Sequence, residues 1–344
     1  MKNIVKPFSI KNCVLDNKIF YAPLAGCSDY PFCKIAARSF ERPGLLFCQM
    51  VKMDALVRHE PATYRLLDYD ALMHPIGAQI CGSKKEYVRD SCSILEDLGF
   101  DWIDLNCGCP VDKITKDGSG SALLKCPKKI GELIHEMTSS THLPVSVKIR
   151  AGWDERSINA PIITKIAEEA GASVITIHGR TREQGYKGKA AYSPIREAKK
   201  VANTIKVFAN GDIFDPESAE MMLEETSSDG ILIARGTMGQ PWIAGQILDY
   251  VRKGHYQSPD ILTVKGVMLE HFEEIVSYQS DKKALLDMRR VGSWFLRYLS
   301  RFGNTSALKE LIIKEKSPKT IIQRLQTFPW EAWAGSSPKS LVSI

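Results

Sequence analysis

Short runs rich in β-branched and apolar residues recur along the first two-thirds of the chain. They fall at 19–24 (IFYAPL), 45–51 (LLFCQMV), 75–80 (PIGAQI), 102–106 (WIDLN), 145–149 (VSVKI), 174–178 (VITIH), 206–210 (KVFAN) and 230–234 (GILIA). Longer amphipathic stretches separate them, such as 84–99 and 160–171, the second closing on Gly171 as a helix stop. Strand-like runs alternating with helical stretches predict βα units and a parallel sheet. Eight of them predict an α/β fold closed into a (β/α)8 TIM barrel. A doubly wound open sheet competes, but no GxGxxG follows the first strand. The stretch GSGSAL at 118–123 lacks the third glycine and follows no strand.

Past residue 250 the pattern changes. Residues 262–302 read as helices, and 306–328 as two more, broken near Ser317-Pro318. The expected organisation is a barrel over 1–245, a small all-helical C-terminal domain over 250–330, and a polar tail over 331–344, expected to be partly disordered. Within 283–302, Val291, Trp294, Phe295, Tyr298 and Phe302 share one helical face, while Lys283, Arg290, Arg297 and Arg301 share another. The aromatic stripe reads as helical core rather than a base-stacking platform. The basic stripe is the better candidate for phosphate contacts.

Composition changes this picture little; the placement of charge changes it more. An apolar content of 44% with 25% charged residues suits a globular protein with ample core. No apolar run approaches the roughly 18 residues a membrane span needs, and the N-terminal stretch lacks a signal-peptide core. The nine cysteines include no CxxC pair, so reduced thiols and a cytoplasmic location are expected. Residues 1–250 carry 31 Lys and Arg against 31 Asp and Glu, whereas residues 251–344 carry 15 against 9. A neutral body with a basic end suits a polyanion docking at that end. An ordinary solvated surface would carry the same surplus.

In a barrel of this kind the chemistry sits at the C-terminal strand ends. Strand one runs into Pro23-Leu24-Ala25-Gly26 and then Asp29, and strand three presents Gln79. Strand four ends at Asn106 and enters Cys107-Gly108-Cys109-Pro110. Strand five carries Lys148 and Arg150, and strand six carries His178 and then Arg180. Strand seven ends at Asn210-Gly211-Asp212 and strand eight at Ala234-Arg235-Gly236. Polar groups on nearly every strand end predict an active site at one mouth. Glycines in the last two loops suit backbone contacts to a phosphate, so a phosphorylated cofactor is expected, with Lys148 facing charge that develops on a reduced ring. Lys148 in a surface ion pair, and His178 as a hydrogen-bonded structural residue, are the plainer alternatives.

Together, PLAGCSDYPF, the 102–110 segment, GSGSALL, SVKIRAGW, IHGRTREQGYKGKA, ANGDI and ARGTMGQPW resemble the tRNA-dihydrouridine synthases, FMN enzymes that reduce selected uridines in tRNA. The likeness covers about residues 15–245 and continues more loosely through 283–302. It implies Pro23, Leu24, Ala25, Gln79, Lys148, Asn210, Gly211, Asp212, Ala234 and Arg235 as FMN contacts, with His178 a further one. The family's catalytic cysteine directly precedes the proline of an Asn-x-Gly-Cys-Pro motif, which makes it Cys109 and leaves Cys107 a bystander. The resemblance further implies tRNA as partner and NADPH (or NADH) as electron donor, expected to visit the flavin face the uridine later uses; Asn106 and Arg180 are expected toward the substrate, and Arg290, Arg297 and Arg301 of the basic stripe toward the RNA. Two positions depart from many bacterial members: Ala234 stands for glycine, and Arg290-Val291 for a Lys-His pair.

The chemistry agrees with this assignment. Hydride addition at C6 of a uracil leaves enolate-like charge that a proton at C5 must quench. A free thiol, titrating near 8.5, is mostly protonated at neutral pH and can supply it. Gly108 is expected to let the loop approach the substrate closely. A zinc site would want four ligands, and no second Cys/His pair sits at ligand spacing; no metal and no protein partner are expected. Related FMN barrels that act on free pyrimidines would not need a basic helical domain. A protein that only binds RNA would not need Cys109, Lys148 and the phosphate loops.

Overall fold

The computed structural model describes residues 3–38 and 41–330. The expected tail, 331–344, lies outside the described residues. A hairpin, β1 (Phe8–Ile10) and β2 (Cys13–Leu15), opens the chain in antiparallel register around Lys11 at φ 49°. Sequence patterning had not indicated it. The barrel strands follow: β3 (Ile19–Tyr21), β4 (Leu46–Phe47), β5 (Val51–Lys52), β6 (Ile76–Cys81), β7 (Trp102–Cys107), β8 (Val145–Arg150), β9 (Val174–His178), β10 (Lys206–Asn210) and β11 (Gly230–Ile233). They pair in parallel in the order β3-β11-β10-β9-β8-β7-β6-β4. Tyr21 N–H donating to Leu45 O (3.0 Å) and Gly44 N–H to Ile19 O (2.8 Å) close the ring.

The result is a TIM barrel with one irregular position. The second predicted strand, 45–51, is two pieces, because β4 and β5 pair with successive parts of β6 and the chain turns aside between them. That turn aims the Gln49 side chain at Gly26, whose N–H it accepts at 2.5 Å.

Parallel strands buried on both faces explain the continuous apolar runs. Alternation along each strand then sorts them. Ile103, Leu105 and Cys107 of β7 face the surrounding helices, as do Val145, Val147 and Ile149 of β8. Trp102, Phe20, Phe47, Phe208 and Leu232 point into the barrel and fill its lower half. Phe20 lies 4.4 Å from Phe208 and 5.7 Å, edge-on, from Trp102 (ring centroids). The hairpin packs Phe8, Ile10, Cys13 and Leu15 against the same cluster and so covers the base of the barrel.

Among the described residues the C-terminal unit has four helices: Ile261–Tyr278, Asp281–Leu299, Ser306–Lys314 and Pro318–Thr327. The break near Ser317-Pro318 is a helix start, with Ser317 accepting from Thr320 N–H (3.4 Å) and Pro318 in the first turn. Its core gathers Phe272, Met288, Phe295, Leu308 and Trp330, and it reaches Cys27, Leu24, Met238 and Trp242 at the barrel's upper rim. The helix Ile243–Lys253 ends on Gly254 at φ 77°, and its Ile247 and Val251 belong to the barrel's core. Across the junction Tyr30 stacks on Tyr278 at 4.9 Å, and Lys34 and Arg38 pair with Glu274. Partly exposed pairs of this kind contribute about 0–1 kcal/mol each, so buried apolar contact carries most of the attachment.

Candidate active site

Above the aromatic floor the inward positions turn polar. Gln79 and Asp104 face each other across β6 and β7, and Asp104 faces Ser146 across β7 and β8. One step higher come Asn106, Lys148, His178 and Asn210. They open into a cavity of roughly 430 Å³, within the ~300–1,000 Å³ usual for cofactor sites. Pro23, Leu24 and Ala25 form one wall. Gly211, Asp212, Ala234 and Arg235 form another, and Cys109 sits on the rim between Asn106 and Pro110.

The two cysteines of the Cys-Gly-Cys stretch have opposite surroundings. Cys107 is the last residue of β7, points outward into the helix layer and is fully buried, and that burial pushes its thiol well above the ordinary range. Cys109 is half-buried at the cavity, beyond the end of the strand. Its loop is tied down at several points. Asn106 Oδ1 accepts from Cys109 N–H (2.9 Å) and Gly108 N–H (3.2 Å). Arg150 Nε donates to Gly108 O (2.8 Å), and Ser121 N–H donates to Cys109 O (3.0 Å). Gly120, at φ 59°, lets that last contact form, since a Cβ there would lie 2.9 Å from Cys109 O. A Cβ at Gly108 would meet β8 at an ordinary 3.5 Å, so no contact within the fold requires a glycine there.

Lys148 Nζ donates to Asn210 Oδ1 (3.1 Å), whose Nδ2 donates to Leu232 O (2.7 Å). Burial, with Arg150 close by, lowers the Lys148 ammonium to about 8. Burial also drives His178 well below its ordinary value, helped by the surrounding Lys148, Arg150, Arg180 and Arg235, so the ring is neutral. An arginine can only donate, so the 3.5 Å contact from Arg180 marks Nε2 of His178 as the acceptor nitrogen.

Asp212, at φ 50°, takes a two-pronged contact from Arg180 (2.7 and 2.8 Å), one from Arg235 (2.9 Å) and one from Ala190 N–H (2.9 Å). Burial alone would raise this carboxyl, but those hydrogen bonds outweigh it and hold it below the ordinary carboxylate range. Its carboxylate is thus spent on guanidiniums, which sets the direction of Arg235. Arg235 also lies over Tyr186 (4.7 Å) and Phe214 (5.6 Å).

Arg180, expected at the substrate, is only 2% exposed and stands behind the cavity wall, bonded to Asp212, Lys187 O and Gly188 O. Arg290 does not project freely either. It pairs with Asp287 (2.9 Å) and Asp29 (3.7 Å) and lies against Gly26. Arg297 is exposed, and Arg301 lies over Tyr298 at 4.4 Å. Arg150 follows from the strand-end rule, whereas Asp104, Tyr186 and Phe214 do not, because they depend on cross-strand pairing and loop shape.

The arrangement suits a flavin mononucleotide. Leu24, Ile213 and Met238 give the cavity apolar surface, Gln79, Lys148 and Asn210 give ring-directed polar groups, and Arg235 with the Gly211 and Gly236 turns gives a cationic corner for a phosphate. Gly236 is forced by the fold, because a Cβ there would lie 2.1 Å from Ile213 O. Among the described residues there is no group of three or more His, Cys, Asp and Glu side chains placed to hold a metal ion, and no helix is long and apolar enough to cross a membrane.

Comparison with known proteins agrees in sequence and in shape. The profile of the family described as Dihydrouridine synthase (Dus) matches residues 20–332. "Probable tRNA-dihydrouridine synthase 1" of Synechocystis is 32% identical over 91% of this chain and 86% of its own length. "tRNA-dihydrouridine synthase B" of Pseudomonas putida is 35% identical over 82% of this chain and 83% of its own. Among solved structures, morphinone reductase superposes with a TM-score of 0.53 at 11% identity, over 76% of this chain and 92% of its own, a likeness of fold.

Proposed function

This chain belongs to the dihydrouridine synthase family, and we propose that it reduces the C5–C6 double bond of selected uridines in tRNA, using FMN re-reduced by NADPH. Its activity is that of a tRNA-dihydrouridine synthase, a flavin-dependent oxidoreductase. The observation that carries the finer reading is the convergence of Cys109, Asn106, Lys148 and Arg235 on one cavity above a closed floor. FMN, when bound, supplies hydride to C6 of the base.

The protein's own groups do the rest. Cys109 gives the proton to C5, held at the rim by Asn106, Arg150 and Ser121. Lys148 offers a cation where negative charge accumulates, aimed by Asn210. Arg235, steered by Asp212, would hold the cofactor's phosphate, while the Leu24 and Met238 walls would exclude water. We assign Arg180 and Asp212 to support of this corner rather than to direct contact with ligand. The exposed Arg297 and the half-buried Arg301 are the cations we place toward the RNA backbone.

The test is anaerobic. Reduced holoenzyme mixed with unmodified tRNA should reoxidise its flavin quickly, whereas free uridine at the same concentration should leave it reduced. A flavin that yields equally to a free pyrimidine would overturn the RNA assignment.

A further inference from the structure

Beneath the reactive rim the tie between Asn106 and the Cys109 loop continues down into the barrel as a line of hydrogen bonds. Trp102 Nε1 donates to Ser146 Oγ (2.8 Å), and Ser146 Oγ donates to Asp104 Oδ1 (2.5 Å). From the other side Asn106 Nδ2 donates to Gln79 Oε1 (2.7 Å), and Gln79 Nε2 donates to Asp104 Oδ2 (2.6 Å). Asn106 Oδ1 in turn accepts the N–H groups of Gly108 and Cys109. Every link is directed toward Asp104, which is 4% exposed.

We propose that Asp104 is a positioning residue for Cys109, fixing the polarity of the Gln79–Asn106 pair so that Asn106 presents its oxygen to the Cys109 loop. The inference rests on the reading of Cys109 as proton donor. A carboxylate can only accept, so Gln79 must turn its amide nitrogen down and its oxygen up. That oxygen accepts from the nitrogen end of Asn106, which leaves Asn106 Oδ1 for the two loop N–H groups. The amide orientations follow from the carboxylate.

An isolated buried charge is costly, and an apolar residue of similar size would serve packing at least as well. Burial does raise the Asp104 carboxyl, to about 6, against the hydrogen bonds from Ser146 and Gln79 and the charge of Lys148. Both of its oxygens nonetheless accept, Oδ1 from Ser146 and Oδ2 from Gln79. An asparagine at this position has both a donor and an acceptor end, so the line can reverse. Asn106 would then aim its amide hydrogens at the loop N–H groups, and the loop would have to move. A displacement near 1 Å at a reacting atom costs on the order of 100-fold in rate.

The experiment compares wild-type holoenzyme with Asp104→Asn and Ser146→Ala. One readout is iodoacetamide labelling of Cys109, resolved by peptide mass spectrometry, with exposed Cys126 as internal reference. The other is single-turnover flavin reoxidation at saturating tRNA. Asp104→Asn should label Cys109 severalfold faster and reoxidise about 10- to 100-fold more slowly, with tRNA affinity and Cys126 labelling unchanged. Ser146→Ala, which loosens one of the two ties on Asp104, should shift both readouts in the same direction by less, and it carries the test if Asp104→Asn does not fold. Wild-type labelling and reoxidation in a folded Asp104→Asn, or in Ser146→Ala if it stands alone, would overturn the assignment. A wild-type enzyme that ignores tRNA while the labelling contrast persists would overturn the function and leave the loop-positioning line standing.

Discussion

The barrel mouth and the helical unit both carry arginines, and they use them differently. At the mouth Arg150, Arg180 and Arg235 are fully or partly buried, with hydrogen bonds directed to loop carbonyls, to Asp212 and, from Arg180, to His178. They hold a shape. On the helix Asp281–Leu299 the aromatic face goes inward, with Phe295 fully buried, and Arg297 is left in solvent just as amphipathic patterning expects. Arg290 crosses between the two regimes, since it belongs to the helical unit but is committed to Asp287 and the barrel's Asp29. A cation's position along a stripe therefore says less than what neutralises it.

If the comparison holds, substitutions at the mouth should change rate or cofactor binding, and substitutions on the helical face should change RNA affinity. The largest effect is expected from Cys109→Ala. It should keep flavin and tRNA binding and lose about 10²–10⁴-fold in single-turnover reoxidation, while Cys107→Ala stays within about threefold because its thiol faces only the helix layer. Stopped-flow absorbance at saturating tRNA distinguishes the two, and equal losses would erase the contrast between the cysteines.

Next comes Lys148→Met, expected to weaken flavin binding by about 10- to 100-fold through loss of a charge-assisted hydrogen bond. With the Lys148 ammonium lowered to about 8, wild-type flavin affinity should fall as pH rises through 8, and the Met variant should show no such decline. The same lowering makes the buried cation a stability cost at neutral pH, relieved as pH climbs from about 8 toward the unfolded lysine value. Fluorescence titration of flavin at several pH values reads the binding directly. The smallest effect should follow Arg297→Glu with Arg301→Glu. Weaker tRNA binding by about tenfold, with a shallower dependence on salt, is expected in filter-binding assays. A change in reoxidation rate at saturating tRNA would break the division of labour.

Much of this was legible in the sequence because parallel strands buried on both faces leave unbroken apolar runs, and because the barrel sends strand ends to one mouth. Gln79, Asn106, Lys148, His178 and Asn210 were read from that rule and do face the cavity. The β1–β2 hairpin was not legible, since strands of three residues are too short to show a period. Neither was the interruption between β4 and β5, which depends on Gln49 finding Gly26 far away in the chain. The placement of Arg180 and the importance of Asp104 are facts of register. Which inward residue on one strand meets which on the next is decided by barrel closure, and a single strand's sequence does not carry it.

The plugged base has a consequence for traffic. With Phe20, Trp102 and Phe208 packed below and the hairpin laid across them, the base of the vessel is shut and its cavity lies on the upper side. Under the function proposed above, a reductant and a base carried on an RNA strand would both arrive from that upper side, and how long one lingered would set how long the next one waited.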